Sequence, residues 1–249
     1  MLTHESRLHD FPALANMAYL NTAAESIPPR CVHEALTQYA QDKGLGMRGR
    51  IPHDETLEAC REAAAKMVRL QTSEVSFCSC SSEAYNLLSN ALNLKRDDEV
   101  IITDLDFPAG ATPWLNAANP PIVHLWKAQD GILDANQLPQ ILNERTRLIQ
   151  VSLVSFYNGH RLEWAPFIEA VRKHAPNAKV AVDVTQALGR IELDCEDFDI
   201  LISSTHKWIL GVHGGCIVGI PNKQNPITTN AGGWFHLENA FESDRFDRT

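Results

Sequence analysis

Short apolar runs rich in β-branched residues alternate along this chain with stretches whose apolar positions recur at helical spacing. The runs at 75–79, 100–103, 122–126, 148–154, 180–184 and 200–202 have the length and composition of buried strands. Segments 82–93, 134–143 and 165–175 lie among them and are compatible with helices. Two helices are expected before the first run. One spans about 29–43, with Pro29 at its entrance and Gly44 at its exit, and the next is capped by Asp54. This strand and helix rhythm predicts an α/β fold, a mostly parallel sheet with helices on both faces. A last run at 215–220 follows its predecessor through a glycine-rich turn, too short for a crossover helix, so an antiparallel partner is expected there. No internal repeat or low-complexity segment interrupts the pattern.

Composition narrows the class. The chain has 249 residues and 44% hydrophobic content, enough for a sizeable core. Its formal net charge is −9, and it has no basic run or basic–aromatic alternation. A general affinity for nucleic acid is therefore not expected, and a small-molecule substrate is. No stretch approaches the ~20 apolar residues of a membrane span, and the polar start with His4, Glu5, Arg7 and Asp10 lacks the apolar centre of a signal peptide. A cytoplasmic setting is expected. Cys31, Cys60, Cys78, Cys80, Cys195 and Cys216 form no CxxC pair and read mainly as small, reduced core residues. The ten histidines show no HExxH or paired Cys/His spacing, so no metal site is expected.

In open parallel sheets ligands sit beyond the carboxyl ends of the strands. Four residues with distinctive chemistry stand there: Ser81, Phe107, Asp183 and Lys207. A lysine amine can form a Schiff base with an aldehyde cofactor, and a carboxylate facing a pyridine nitrogen keeps that nitrogen protonated. Lys207 follows Asp183 by 24 residues, each at the end of an apolar run, so two strand ends can deliver both to one rim. Each residue also has a plainer reading. Lysines after strands are mostly exposed, Asp183 could cap a helix, and Ser81 and Ser82 could be an ordinary helix start with Glu83 in its first turn.

The spaced motifs Asp183-x-x-Gln186 and Ser204-x-His206-Lys207 resemble signatures of the class V aminotransferase family of pyridoxal-phosphate enzymes. That family includes cysteine desulfurases, selenocysteine lyases, kynureninases and isopenicillin-N-epimerase-like proteins. The resemblance runs from Tyr19-Leu20-Asn21-Thr22 to Gly232-Gly233-Trp234-Phe235. It implies a type I pyridoxal-phosphate fold, pyridoxal 5'-phosphate as cofactor, an amino-acid substrate and a homodimer. Lys207 would carry the Schiff base, Asp183 face the ring nitrogen, and Gln186 donate to the phenolic oxygen. Phe107 would stack on the ring, and Ser81, Ser82, Ser204 and His206 would hold the phosphate, with His206 also near the reacting centre. The implied order is a segment at 1–25, a cofactor-binding domain at 26–225 and the start of a carboxyl-terminal domain at 226–249.

Within the family, the residues point toward transamination or an epimerisation-like reaction. Desulfurases often carry histidine where Phe107 stands, and Phe156 falls where many place an asparagine. The attacking cysteine of a desulfurase and the arginine that grips a substrate carboxylate belong to a region beyond residue 249 in resembling enzymes. Desulfurase or selenocysteine-lyase chemistry, and a catalytically silent cofactor-binding fragment, remain as alternatives. Arg48, Arg50 and Arg161 are candidate carboxylate partners that nothing in the sequence ranks.

Overall fold

The computed structural model describes residues 3–224, 226–229, 231–233 and 241–242. The apolar runs become seven strands: β1 (Val75–Cys78), β2 (Glu99–Thr103), β3 (Ile122–Trp126), β4 (Thr146–Ser152), β5 (Lys179–Asp183), β6 (Ile200–Ser204) and β7 (Cys216–Gly219). They form one sheet in the order β1-β7-β6-β5-β4-β2-β3. Pairing is parallel from β6 across to β3, and β7 runs antiparallel to both β6 and β1, as its short connection requires. The helices are α1 (His4–Asp10), α2 (Arg30–Lys43), α3 (Arg50–Val68), α4 (Ser81–Leu92), α5 (Pro108–Leu115) and α6 (Trp164–His174).

Two cores cover the two faces of the sheet. The central strands are apolar through their middles, at Leu148, Ile149 and Val151 of β4, Val180–Val182 of β5 and Ile200–Ile202 of β6, and the alternation of side chains distributes these residues between the cores. Ile149, Val151, Val180, Val182 and Leu201 pack on one side with Trp126, Trp164, Phe167 and Val171, the last three from α6. Leu148, Ala181, Ile200 and Ile202 pack on the other with Tyr85 and Leu88 of α4 and Trp114 of α5. Ser152, Asp183 and Ile202 lie side by side across β4, β5 and β6, which sets the carboxyl ends of these strands at one level.

Several local expectations are corrected. Residues 134–143 do not form an α-helix; they hold a 3₁₀ segment over Ala135–Gln140, started by Asp134, whose carboxylate accepts from the Asn136 amide. Pro139 has no amide hydrogen to give an α-helical bond, and the tighter turn tolerates its place. Helix α3 begins at Arg50, so Asp54 lies inside it rather than capping it. Its entry uses Gly49, where a Cβ would come 1.8 Å from the Asp42 carbonyl oxygen. Residues after Phe107 form α5, entered through Pro108 and pinned by the fully buried Trp114, although no helical pattern is visible there along the chain. All six cysteines are free, and Cys31, Cys60 and Cys80 are exposed rather than in the core. Among the described residues no helix is long and apolar enough to cross a membrane.

Candidate active site

The carboxyl ends of the strands border a hollow that opens to solvent. β5 contributes Asp183 and, just beyond, Thr185 and Gln186; β6 ends in Ser204 and continues to His206 and Lys207. Ser81 enters from the first turn of α4, Phe107 from the cap of α5, and Ser152 from the end of β4. The N-cap residue of α4, Cys80, makes no side-chain capping bond. The first amides of α4 are therefore left without a side-chain cap beside Ser81, at the positive end of the helix.

Asp183 is 7% exposed. Tyr85 Oη donates to its Oδ2 at 2.7 Å, and the Thr185 amide donates to its Oδ1 at 2.8 Å. Both donors are neutral, so the buried carboxylate brings a negative charge to the floor of the hollow that a cation would complement. Across the hollow, burial pushes the Lys207 amine below its ordinary range, opposed by the charges of Asp183 and Glu25. More of the amine is then neutral and nucleophilic at a given pH. Lys207 Nζ lies 5.2 Å from the centroid of the Phe107 ring, and Phe156 meets that ring edge-on at 5.1 Å.

The loop bearing Lys207 is fixed at several points. Gln186 Nε2 donates to the Ala23 carbonyl, while its Oε1 accepts from Trp208 Nε1 at 2.7 Å. One hydrogen of Nε2 stays available to the hollow. Gly189, at φ +85°, passes so close to Trp208 that a Cβ would sit 2.6 Å from its carbonyl oxygen. Ser204 is buried, and its amide donates to Thr185 Oγ1. The Ser26 amide donates to the His206 carbonyl, tying the amino-terminal segment to the rim.

Behind Phe107 lies a second buried acid that sequence reading missed. Asp106 accepts from Ser152 Oγ and from the Thr103 amide, both at 3.0 Å. Burial pushes its carboxyl from the ordinary 3.8 up to about 7, although these bonds pull the other way. The folded protein thus keeps this proton over a window in which the unfolded chain has lost it. Asp106 contributes stability that is full below the unfolded value and is lost as pH rises toward about 7. The Asp106→Asn variant has no such proton, and its amide can still meet Thr103 and Ser152. It is expected to gain stability relative to the parent between pH 4 and 8, by up to about 4 kcal/mol. Urea unfolding of both proteins across that range measures the difference, and parallel curves would refute the assignment.

Of the sequence-predicted residues, Ser81, Phe107, Asp183, Gln186, Ser204, His206 and Lys207 meet at the hollow. The Ser82 side chain does not; it faces a separate depression between α4 and α5 with Asn86 and Thr112. Asn158 serves its turn, donating to the Gly131 carbonyl and accepting from the His160 amide. Arg161 pairs with Asp194, and among the described residues no arginine lines the hollow. Gly232 and Gly233 are described, whereas Trp234 and Phe235 lie outside the described residues. Tyr85, Ser152 and Thr185 went unread. Tyr85 fits the apolar face of α4, and the approach of β4 and β5 gives its hydroxyl its partners.

The donors suit pyridoxal phosphate: a buried anion for the ring nitrogen, an amine for the aldehyde, hydroxyls and helix amides for the phosphate, and the Phe107 ring for stacking. His206 is neutral-leaning, since burial and then the neighbouring His213 lower its value. Glu25, His206 and His213 also bring three potential metal-ligand atoms within 4.8 Å of one another at the rim. The two imidazoles, however, stack at 4.1 Å with 21° between their planes. In-plane lone pairs of stacked rings do not converge, so one ion cannot take both without a ring rotation.

A family model described as aminotransferase class-V matches residues 18–238. A probable cysteine desulfurase of Haemophilus influenzae is 29% identical over 217 residues, covering 81% of this chain and 48% of that protein. An uncharacterized aminotransferase of Bacillus subtilis is 25% identical over 238 residues, covering 93% and 63%. The chain thus spans about half to under two thirds of the length of these curated relatives. Among solved structures, a C-DES mutant with glycine covalently linked to the PLP cofactor superposes with TM-score 0.80 at 22% identity, covering 86% of this chain and 59% of that one. The apo cysteine desulfurase of Thermococcus onnurineus gives 0.77 at 22%, covering 89% and 58%. At these identities the structural likeness establishes the fold, a mostly parallel sheet with helices.

Proposed function

This chain belongs to the aminotransferase class-V family, and from that premise we propose that it is the cofactor-binding part of a pyridoxal-phosphate-dependent enzyme acting on an amino acid. The observation that carries the reading is the half-buried Lys207 amine, held below its ordinary range, in the same hollow as the buried Asp183 carboxylate. When bound, pyridoxal phosphate supplies an electron sink for a bond broken at the substrate's α-carbon. Lys207 would hold the cofactor at its aldehyde, and its Nζ would hold and move a proton at the substrate. Asp183 would hold the ring-nitrogen proton through its carboxylate. Ser81, Ser204, His206 and the first amides of α4 would hold the phosphate, and the free hydrogen of Gln186 Nε2 would orient the phenolic oxygen. Phe107 and Phe156 exclude water from one side of the hollow.

The relatives' names favour cleavage of a carbon–sulfur bond, as in cysteine desulfurases. A second reading, transamination or epimerisation, is favoured by the hollow itself, which carries apolar rings at 107 and 156. A second copy of the chain is the partner we propose for α2, α3 and the turn between them, where Leu36, Tyr39, Met47 and Ile51 stand exposed.

Addition of pyridoxal phosphate to the purified protein is expected to give a visible band that borohydride abolishes, leaving a pyridoxyl group that peptide mapping finds on Lys207. A group on another lysine, or no band, would overturn the assignment. With the loaded protein, release of alanine from cysteine in the presence of a thiol supports desulfuration. Exchange of the α-hydrogen with D₂O, with the C–S bond intact, supports the second reading.

A further inference from the structure

Tyr85 is 1% exposed, and its hydroxyl lies between two buried polar groups from different strands. On one side is Asp183 Oδ2 at 2.7 Å; on the other is Gln150 Nε2 at 3.2 Å. The direction of these bonds follows from donor chemistry. A carboxylate can only accept, so the phenolic hydrogen points to Asp183, and the phenolic oxygen is left to accept from the amide nitrogen of Gln150. The amide is committed to this orientation at a cost, since buried Gln150 Oε1 has no hydrogen-bond partner among the described residues. Burial and the charge of Asp183 raise the Tyr85 hydroxyl well above its ordinary range, so it stays protonated and remains a donor.

Tyr85 also stands four residues after Ser81, on the same face of α4. One helix therefore carries the amides and hydroxyl that face the phosphate and the group that holds the ring acid, joining the two ends of the site rigidly. The charged and titratable groups around the pair include Asp183 from β5, Asp106 after β2, Lys207 after β6, Cys216 of β7 and Tyr85 itself.

We propose that Tyr85 is a positioning residue of this site: its hydroxyl fixes Asp183 and stabilises the carboxylate's negative charge, so that a proton shared with a bound pyridine nitrogen stays on the nitrogen. The inference rests on the reading of Asp183 as the ring acid. Without the phenol, a buried carboxylate kept anionic by a single remaining amide donor takes the shared proton more readily. The nitrogen then loses the positive charge that makes the ring an electron sink.

The test uses pyridoxal phosphate labelled with ¹⁵N in the ring, bound to the full chain and observed by NMR at one pH. In the parent protein the nitrogen is expected at its protonated position. In Tyr85→Phe it is expected to move toward the unprotonated position, with about tenfold weaker cofactor binding, and in Asp183→Asn further still. If Asp183→Asn moves the signal and Tyr85→Phe leaves it at the parent position, Tyr85 only packs and the inference fails. If Asp183→Asn leaves the signal unmoved, the ring-acid reading itself fails. Should the Phe variant not fold, p-aminophenylalanine at position 85 keeps the shape with a weaker donor. A nitrogen signal moved part of the way supports the role, and one at the parent position overturns it.

Discussion

The Lys207→Ala variant is expected to fold and to lose both the borohydride-reducible band and turnover. Lys207 Nζ lies at the hollow, over the Phe107 ring. Deleting a half-buried cation that is partly desolvated costs the fold little and can stabilise it. The chemistry loses two contributions at once, the amine that bonds the cofactor's aldehyde and the base that carries a proton at the α-carbon. Together these make the loss in kcat roughly a thousandfold or more. Cofactor absorbance, borohydride trapping and urea unfolding on the same preparation separate the cases. A variant that folds and keeps turnover would remove Lys207 from the mechanism, and a persisting reducible band would place the bond on another amine.

The second large effect is at Asp183. Asp183→Asn removes the charge while keeping the shape, and the amide can still accept from Thr185 and donate to the Tyr85 oxygen. Midpoint unfolding is therefore expected to change little. A buried carboxylate facing a developing positive centre acts in a medium that screens it poorly, and removal of one such preorganised group typically costs about a hundred- to a thousandfold. The loss is expected in kcat, with the cofactor still trapped on Lys207 by borohydride. That combination distinguishes it from Lys207→Ala, where trapping itself disappears. Normal turnover in Asp183→Asn would show that the ring nitrogen is held elsewhere.

The strands and most helices were readable along the chain because each depends on local pattern. Val180 to Asp183 is apolar until its last residue, and it ends where the sheet ends. The helix over 165–175 appears within one residue, as Trp164–His174, because Trp164, Phe167 and Val171 repeat on one face. The 3₁₀ segment at 135–140 and helix α5 were misjudged for opposite reasons. Pro139 breaks a helical pattern that otherwise looked continuous. Pro108 and Pro113 conceal a helix that the burial of Trp114 holds in place.

What the sequence determined by itself is the order of strands and helices, and the presence of an amine, an acid and hydroxyls at strand ends. Those follow from side-chain periodicity and from residue chemistry, which are local. Only the tertiary structure decided the strand order, the return of β7 between β1 and β6, and the partners inside the site. Tyr85 and Asp183 are 98 positions apart, and Asp106 and Ser152 are 46 apart. A periodic pattern states that a residue is buried. It does not state which distant polar group the packing brings against it, because that depends on how whole elements stack.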